Sequence, residues 1–202
     1  MPSTPPESPA RSPDSDTRPR CGWAAGSPAM IAYHDREWGT PHHEDRALFE
    51  LITLEGAQAG LSWRTILARR EEYRRTFHEF DIARVAAMTD RELETALRQS
   101  GVIRNRLKIY SVRSNAEAAL AAIAAHGSLD SYLWSFVGGT PIVNRRRAMD
   151  EVPARTELSD RMSKSLRKAG FRFVGSTICY AFLQASGMVD DHLATCFRAR
   201  GR

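Results

Sequence analysis

In the segment RALFELITLEGAQA (residues 46–59), Leu48, Phe49, Leu51 and Ile52 recur at three- and four-residue spacing, which predicts an amphipathic helix whose apolar face the rest of the chain must cover. Glu55 falls on that same face and is followed at once by Gly56 and Ala57. A carboxylate placed among apolar residues has to be paired, protonated or turned toward a cavity. In the plainer reading Glu55 is a buried acceptor that helps pack helices, and in the functional one it faces a pocket. Trp63 lies eight residues further on and is placed to line such a pocket with Trp23, Tyr33 and Trp38. Aromatic side chains also serve simply as core, so the cluster does not decide between the two.

Helical periodicity dominates the remainder. SWRTILARREEYRRTF (62–77) reads as one helix with Ser62 as its N-cap, burying Trp63, Ile66, Leu67 and Tyr73. Further helices are expected over TDRELETALRQS, RNRLKIYSVRSNAEAALAAIAAH, SLDSYLWSFV, SDRMSKSLRKAG and GSTICYAFLQASG, and no stretch alternates convincingly as a strand. The expected fold is therefore an all-α bundle of short helices. With 202 residues and 42% hydrophobic content, the chain can bury one core over residues 21–202, as a single unit or two intimate helical lobes. Residues 1–20, MPSTPPESPARSPDSDTRPR, are rich in Pro, Ser and charge and are expected to form a disordered tail. No apolar run is long enough for a bilayer and the N-terminus has no apolar signal core, so the expectation is a cytoplasmic protein without membrane contact. A net charge of +5 suits a polyanionic partner without specifying one.

CGWAAGSPAMIAYHDREWG (21–39) shows no helical or strand period, yet it gathers Cys21 and His34 among aromatics. Near the other end, His192 and Cys196 stand four apart in VDDHLATC, on one face of a helical turn. The four together make a Cys2His2 set of the kind that holds Zn²⁺ tetrahedrally, tying the N-terminal segment to a C-terminal helix. Burial of the cysteines as small apolar side chains accounts for them equally well, and three cysteines are too few and too scattered for a disulfide framework. His42 and His43 are rival ligands without a cysteine at helical spacing.

RKAGFRFVGSTICYAFLQ ends one helix near Gly170, turns through apolar residues and starts another after Gly175. That is the outline of a helix-hairpin-helix, which aims backbone N–H groups and a helix N-terminus at a DNA phosphate. An ordinary helix connection has the same outline.

CGW, AYHDREWG, LEGAQAGLSW, FRFVGSTICYAF and VDDHLATC, in this order across residues 21–196, resemble the bacterial 3-methyladenine DNA glycosylase I family, within the helix-hairpin-helix DNA glycosylase superfamily. The resemblance implies a monomeric, monofunctional enzyme. It would flip 3-methyladenine out of alkylated double-stranded DNA, hydrolyse the N-glycosidic bond and release the free base, leaving an abasic site. It further implies one structural Zn²⁺ on Cys21, His34, His192 and Cys196, a base-contacting catalytic carboxylate at Glu55, and stacking by Trp23, Tyr33 and Trp63. Where some relatives carry a second tyrosine, this chain has Met30. The hairpin residues Phe173, Val174 and Gly175 would hold the DNA backbone with help from Arg167, Lys168 and Arg172, and Leu61 is the candidate wedge. Ser176 and Thr177 stand where strand-cutting relatives have a Schiff-base lysine. Asp190 either stabilises developing oxocarbenium charge or caps the helix carrying His192. The competing class is a zinc-stabilised DNA-binding module without catalysis, which has no use for a carboxylate at Glu55. A metal-dependent hydrolase needs an open coordination position, which four Cys/His ligands deny.

Overall fold

The computed structural model describes residues 17–98 and 101–199. Among them it contains ten α-helices and one pair of two-residue strands. The helices are α1 (Pro28–Arg36), α2 (Asp45–Gln58), α3 (Trp63–Leu67), α4 (Arg70–Thr76), α5 (Ile82–Ala86), α6 (Asp90–Arg98), α7 (Arg106–His126), α8 (Leu129–Trp134), α9 (Glu157–Lys168) and α10 (Ser176–Ala185). None of the described helices is long and apolar enough to cross a membrane.

Helix α2 is the centre of the molecule. Its Leu48, Phe49, Ile52 and Leu54 are shut off from solvent, each such burial stabilising the fold by about 1.5–3 kcal/mol. It packs against α3, α7, α8 and α10. Helix α7 carries an alanine-rich inner face with Ile109, Val112, Ala116 and Ala119 buried, and it also contacts α5, α6 and α8. Helices α9 and α10 pack against each other, with Thr156 and Ser159 making a reciprocal capping box at the start of α9.

Four expectations are corrected. The chain is mostly helical but not wholly so, because β1 (Ile142–Val143) pairs in parallel with β2 (Val189–Asp190) and fixes the C-terminal segment beside the α8–α9 connection. The helix expected over 62–77 is two helices: Ser62 does cap α3, accepting the Thr65 amide at 3.2 Å, but the chain turns at Ala68 and Arg69 before α4. That turn lets Arg70 reach Glu37 and Glu50 together, a partly buried ion network that a continuous helix is not required to make. The segment read as irregular contains α1, started by Ser27 as N-cap and Pro28 at the first position. Conversely, residues 191–199 form turns rather than the C-terminal helix expected for His192 and Cys196. Of the expected 1–20 tail, residues 1–16 lie outside the described residues. Residues 17–20 run along the domain, with Arg20 paired to Asp35 at 2.7 Å and the Pro19 carbonyl accepting the Phe197 amide at 2.9 Å.

Candidate active site

A cavity of about 240 Å³ is bordered by Tyr33 of α1, Glu55 of α2, Trp63 of α3, Gln184 of α10, and Trp23 and Met30. The rings interlock at its wall, with Tyr33 and Trp63 centroids 5.1 Å apart and Trp23 edge-on to Trp38 at 4.9 Å. Met149 and Val152, from the segment after β1, close another side with apolar surface. Glu55, Tyr33 and Trp63 each present a buried polar atom to this region that has no hydrogen-bond partner: Oε2, the phenolic oxygen and Nε1. Leaving one buried polar group dry costs about 1–3 kcal/mol. Desolvation pushes the Glu55 carboxyl up to about 8, so near neutral pH it is largely a protonated acid. Burial, and then the nearby Glu55, raise the Tyr33 phenol well above its ordinary value, which keeps it a neutral donor.

A second carboxylate reaches the same cavity, and the sequence reading did not find it. Asp191 accepts hydrogen bonds from the Tyr180 hydroxyl, from Gln184 Nε2 at 2.8 Å and from Asn144 Nδ2 at 2.7 Å, with Arg146 at 3.6 Å. Its neighbour Asp190 points to His192 instead, accepting the His192 amide at 3.0 Å and contacting Nδ1 at 2.8 Å. Asp190 therefore orients His192, without a helix to cap, and Asp191 is the one that lines the cavity.

Behind the aromatic wall, ligand atoms of Cys21, His34 and Cys196 all lie within 4.8 Å of one another, every residue buried. His34 Nε2 is 3.4 Å from Cys196 Sγ, and its Nδ1 meets Asp35 at 2.8 Å, an outer contact that fixes the ring. Cys21 Sγ and Cys196 Sγ accept backbone amides from Leu193 and Arg198. His192 stands outside the threesome, but its ring is 5.2 Å from that of His34 and its Nε2 is buried with no hydrogen-bond partner. Two sulfurs, an imidazole and an orphaned imidazole nitrogen fit a thiophilic cation such as Zn²⁺. Without one, burial pushes the Cys21 thiol up to about 12. His42 and His43 are not in this cluster: the His42 carbonyl accepts the Trp134 indole N–H, and His43 pairs with Asp130.

The α9–α10 connection is a tight turn on the α2 side of the cavity. Gly170 and Phe173 both take positive φ, 99° and 55°, the latter a conformation most side chains avoid. A Cβ on Gly56 would stand 3.2 Å from Phe173 Cβ and 3.3 Å from its carbonyl oxygen, so the glycine after Glu55 is what lets the hairpin sit this close. Val174 is buried, with its carbonyl accepting from Ser163, whereas Arg167, Lys168 and Arg172 are exposed. Ser176 and Thr177 occupy the first turn of α10, and no lysine lines the cavity among the described residues.

Comparison with known proteins places these features in company. The family model for methyladenine glycosylase matches residues 23–199. DNA-3-methyladenine glycosylase 1 of Escherichia coli (strain K12) is 48% identical over 177 residues, 88% of this chain and 95% of that protein. A crystal structure of 3-methyladenine DNA glycosylase I, also 48% identical, matches with a TM-score of 0.86 over 90% of this chain and 100% of its own. A point variant of a 3-methyladenine DNA glycosylase I, solved in complex with 3-methyladenine, is 32% identical with a TM-score of 0.86, covering 88% of this chain and 96% of its own.

Proposed function

The chain belongs to the methyladenine glycosylase family, and from that premise we propose that it excises 3-methyladenine from alkylated double-stranded DNA by hydrolysis of the N-glycosidic bond. The observation that carries this reading is the set of three partnerless buried polar atoms, on Tyr33, Glu55 and Trp63, around one aromatic cavity. Such a set suits a flat, polar, electron-poor ring better than it suits solvent or a structural role.

An N3-methylated adenine in DNA is cationic, which weakens its bond to the sugar and distinguishes it from adenine. Flipping it from the stack costs a few kcal/mol, less where the lesion has already weakened pairing. In the cavity, Trp23, Tyr33 and Trp63 face or edge the ring, and Glu55 accepts from its exocyclic amine. Since the empty pocket holds Glu55 protonated below about pH 8, entry of a cation expels that proton and the pocket exchanges one positive charge for another. As the C1′–N9 bond breaks, its electron pair passes to the base, which leaves neutral. Water supplies the new C1′–O bond and loses a proton. Met30, in place of an aromatic, gives one wall a polarisable sulfur. Ser176 and Thr177 offer no amine for a Schiff base, which fits a monofunctional enzyme that leaves an abasic site.

The α9–α10 connection supports the helix-hairpin-helix reading, in which the backbone at Phe173, Val174 and Gly175 meets phosphates while Arg167, Lys168 and Arg172 add sequence-independent attraction. Leu61, 41% exposed in the α2–α3 turn, is the wedge in this reading. Cys21, His34, His192 and Cys196 would hold one structural Zn²⁺, which would stitch the two ends of the domain together. Elemental analysis is expected to find one zinc per chain, with Cys196→Ala losing both metal and thermal stability. A monomer working in the cytoplasm is part of the same reading. Incubation with methylated duplex DNA and chromatography of the released bases tests the whole: free 3-methyladenine is expected. Duplex binding without any released base would instead establish a DNA-binding module.

A further inference from the structure

Two polar side chains on the buried side of α7 have no part in the cavity or the cysteine–histidine cluster. Lys108 is 8% exposed and gives its Nζ to two backbone carbonyls, Ala57 at 2.8 Å and Ala59 at 2.6 Å. These belong to the last turn of α2 and its C-cap, where an ammonium complements the helix dipole. The chain then passes Gly60, at φ 78°, and lifts Leu61 into solvent before Ser62 starts α3. Asn115 stands seven residues beyond Lys108, two turns along α7 and on the same side. Its Oδ1 accepts the Arg172 amide at 2.7 Å, and its Nδ2 donates to the Arg172 carbonyl at 3.1 Å. Each residue thus binds the backbone of a different turn. The turn held by Lys108 carries Leu61, and the turn held by Asn115 is the α9–α10 hairpin.

An ordinary helix-packing role does not call for this pairing. Burying an ammonium carries a desolvation cost, and an apolar side chain at 108 would pack α7 on α2 without it. A lysine there fixes carbonyl positions at one defined place, and the asparagine clamps one residue's N–H and C=O as a neighbouring strand would. Direct contact between the two held regions, Gly56 against Phe173, completes a closed frame of α2, α7 and the hairpin.

We propose that Lys108 and Asn115 are positioning residues that make α7 the alignment brace of the DNA-binding face, setting the α2–α3 turn and the α9–α10 hairpin at the spacing at which both engage one duplex. This rests on the assignment of those turns to DNA given under Proposed function. Binding by two linked contacts is strong only when geometry lets both engage at once, so the brace acts on duplex affinity and leaves the base pocket alone.

The experiment measures binding to a duplex carrying a stable abasic-site analogue across a salt series, binding of free 3-methyladenine, and steady-state base release. Wild type, Lys108→Met, Asn115→Leu, the double variant and the conservative Lys108→Arg are compared. Each single loss is expected to weaken duplex binding about tenfold, to flatten the salt dependence because fewer phosphates are met together, and to raise KM more than it lowers kcat. Affinity for free 3-methyladenine stays at the wild-type value. The double variant loses less than the product of the single losses, since a second misalignment adds little to the first. Lys108→Arg keeps duplex affinity. Unchanged duplex binding in both single variants overturns the brace while leaving the proposed function intact. So does a parallel loss of duplex and free-base binding, which marks general loosening of the fold. Failure of the wild type to bind the duplex overturns the assignment of the two turns to DNA, and the brace with it.

Discussion

Glu55 and Asp191 border the same cavity, 3% and 2% exposed, and the fold treats their carboxyl groups in opposite ways. Asp191 is surrounded by donors from two segments: Tyr180 and Gln184 of α10, and Asn144 just beyond β1 with Arg146 at longer range. Its oxygens join pieces of protein to each other. Glu55 has an oxygen with no partner at all and an elevated pKa caused by burial alone. Leaving that acceptor dry costs about 1–3 kcal/mol, which a donor entering the cavity would offset. Burial, nearly equal in the two residues, therefore does not distinguish them; the count of donors already in place does.

The contrast breaks most directly at Glu55. Glu55→Gln is expected to lower base release about 10²- to 10³-fold, the range for losing a group aimed at transition-state charge, while binding to an abasic duplex stays close to wild type. Equal losses in the two assays would put Glu55 with Asp191 among the scaffold residues. At Asp191 the larger effect should be on folding. Asp191→Ala strands three donors and is expected to cost about 3 kcal/mol in denaturant unfolding, with activity per folded molecule falling less than in the Glu55 variant. A fully stable Asp191→Ala protein would show that those hydrogen bonds are not what holds the C-terminal segment.

The pH dependence sharpens the same comparison. Because the folded Glu55 value of about 8 lies above its ordinary 4.5, the native state retains a proton that the unfolded chain has lost between those limits. Wild-type stability therefore falls as pH rises through that window, by up to about 1.4 kcal/mol per pH unit. Glu55→Gln removes that contribution, so its stability advantage should grow from pH 4.5 to about 8 and then level off, as read from denaturation at several pH values. A constant difference would mean that the carboxyl is already paired in the folded state. The smallest effect concerns Trp63→Phe, which keeps a stacking ring but deletes the orphaned N–H. It should weaken free 3-methyladenine binding by about 1 kcal/mol, measured by NMR titration.

Much of this was legible in the residue order because the relevant signals are local. The period of α2, the Ser62 cap, the glycines around the hairpin and the placement of Glu55 on an apolar face all lie within a few residues of what they describe. Helix α1 was not legible. Its inward residues are Met30, Tyr33 and His34, which serve a cavity and a cysteine–histidine cluster, so the uniform apolar stripe that announces a helix is missing. The opposite error occurred at His192 and Cys196, where a spacing of four fits a helix but the segment is a chain of turns. In VDDH, nothing local distinguishes the aspartate that turns to His192 from the one that turns to the cavity, because the difference is made by Tyr180, Gln184 and Asn144 elsewhere. Lys108 and Asn115 left a trace, two polar residues seven apart on the inner side of an alanine-rich helix, but their partners lie about fifty residues away on either side.

The contact between Cys196 Sγ and His34 Nε2 spans 162 positions of sequence. On the ribosome, Cys21 and His34 emerge early and wait for their counterparts while nearly all of the intervening helices are synthesised. A nascent product broken off before residue 192 keeps Cys21 and His34 without Cys196, so α1 lacks its contact with the C-terminal segment. Such fragments fall to cellular proteases in proportion to the time they spend open. Closure of the cluster therefore comes last in synthesis, and a chain ended before Cys196 lacks the contact that ties α1 to the C-terminal segment.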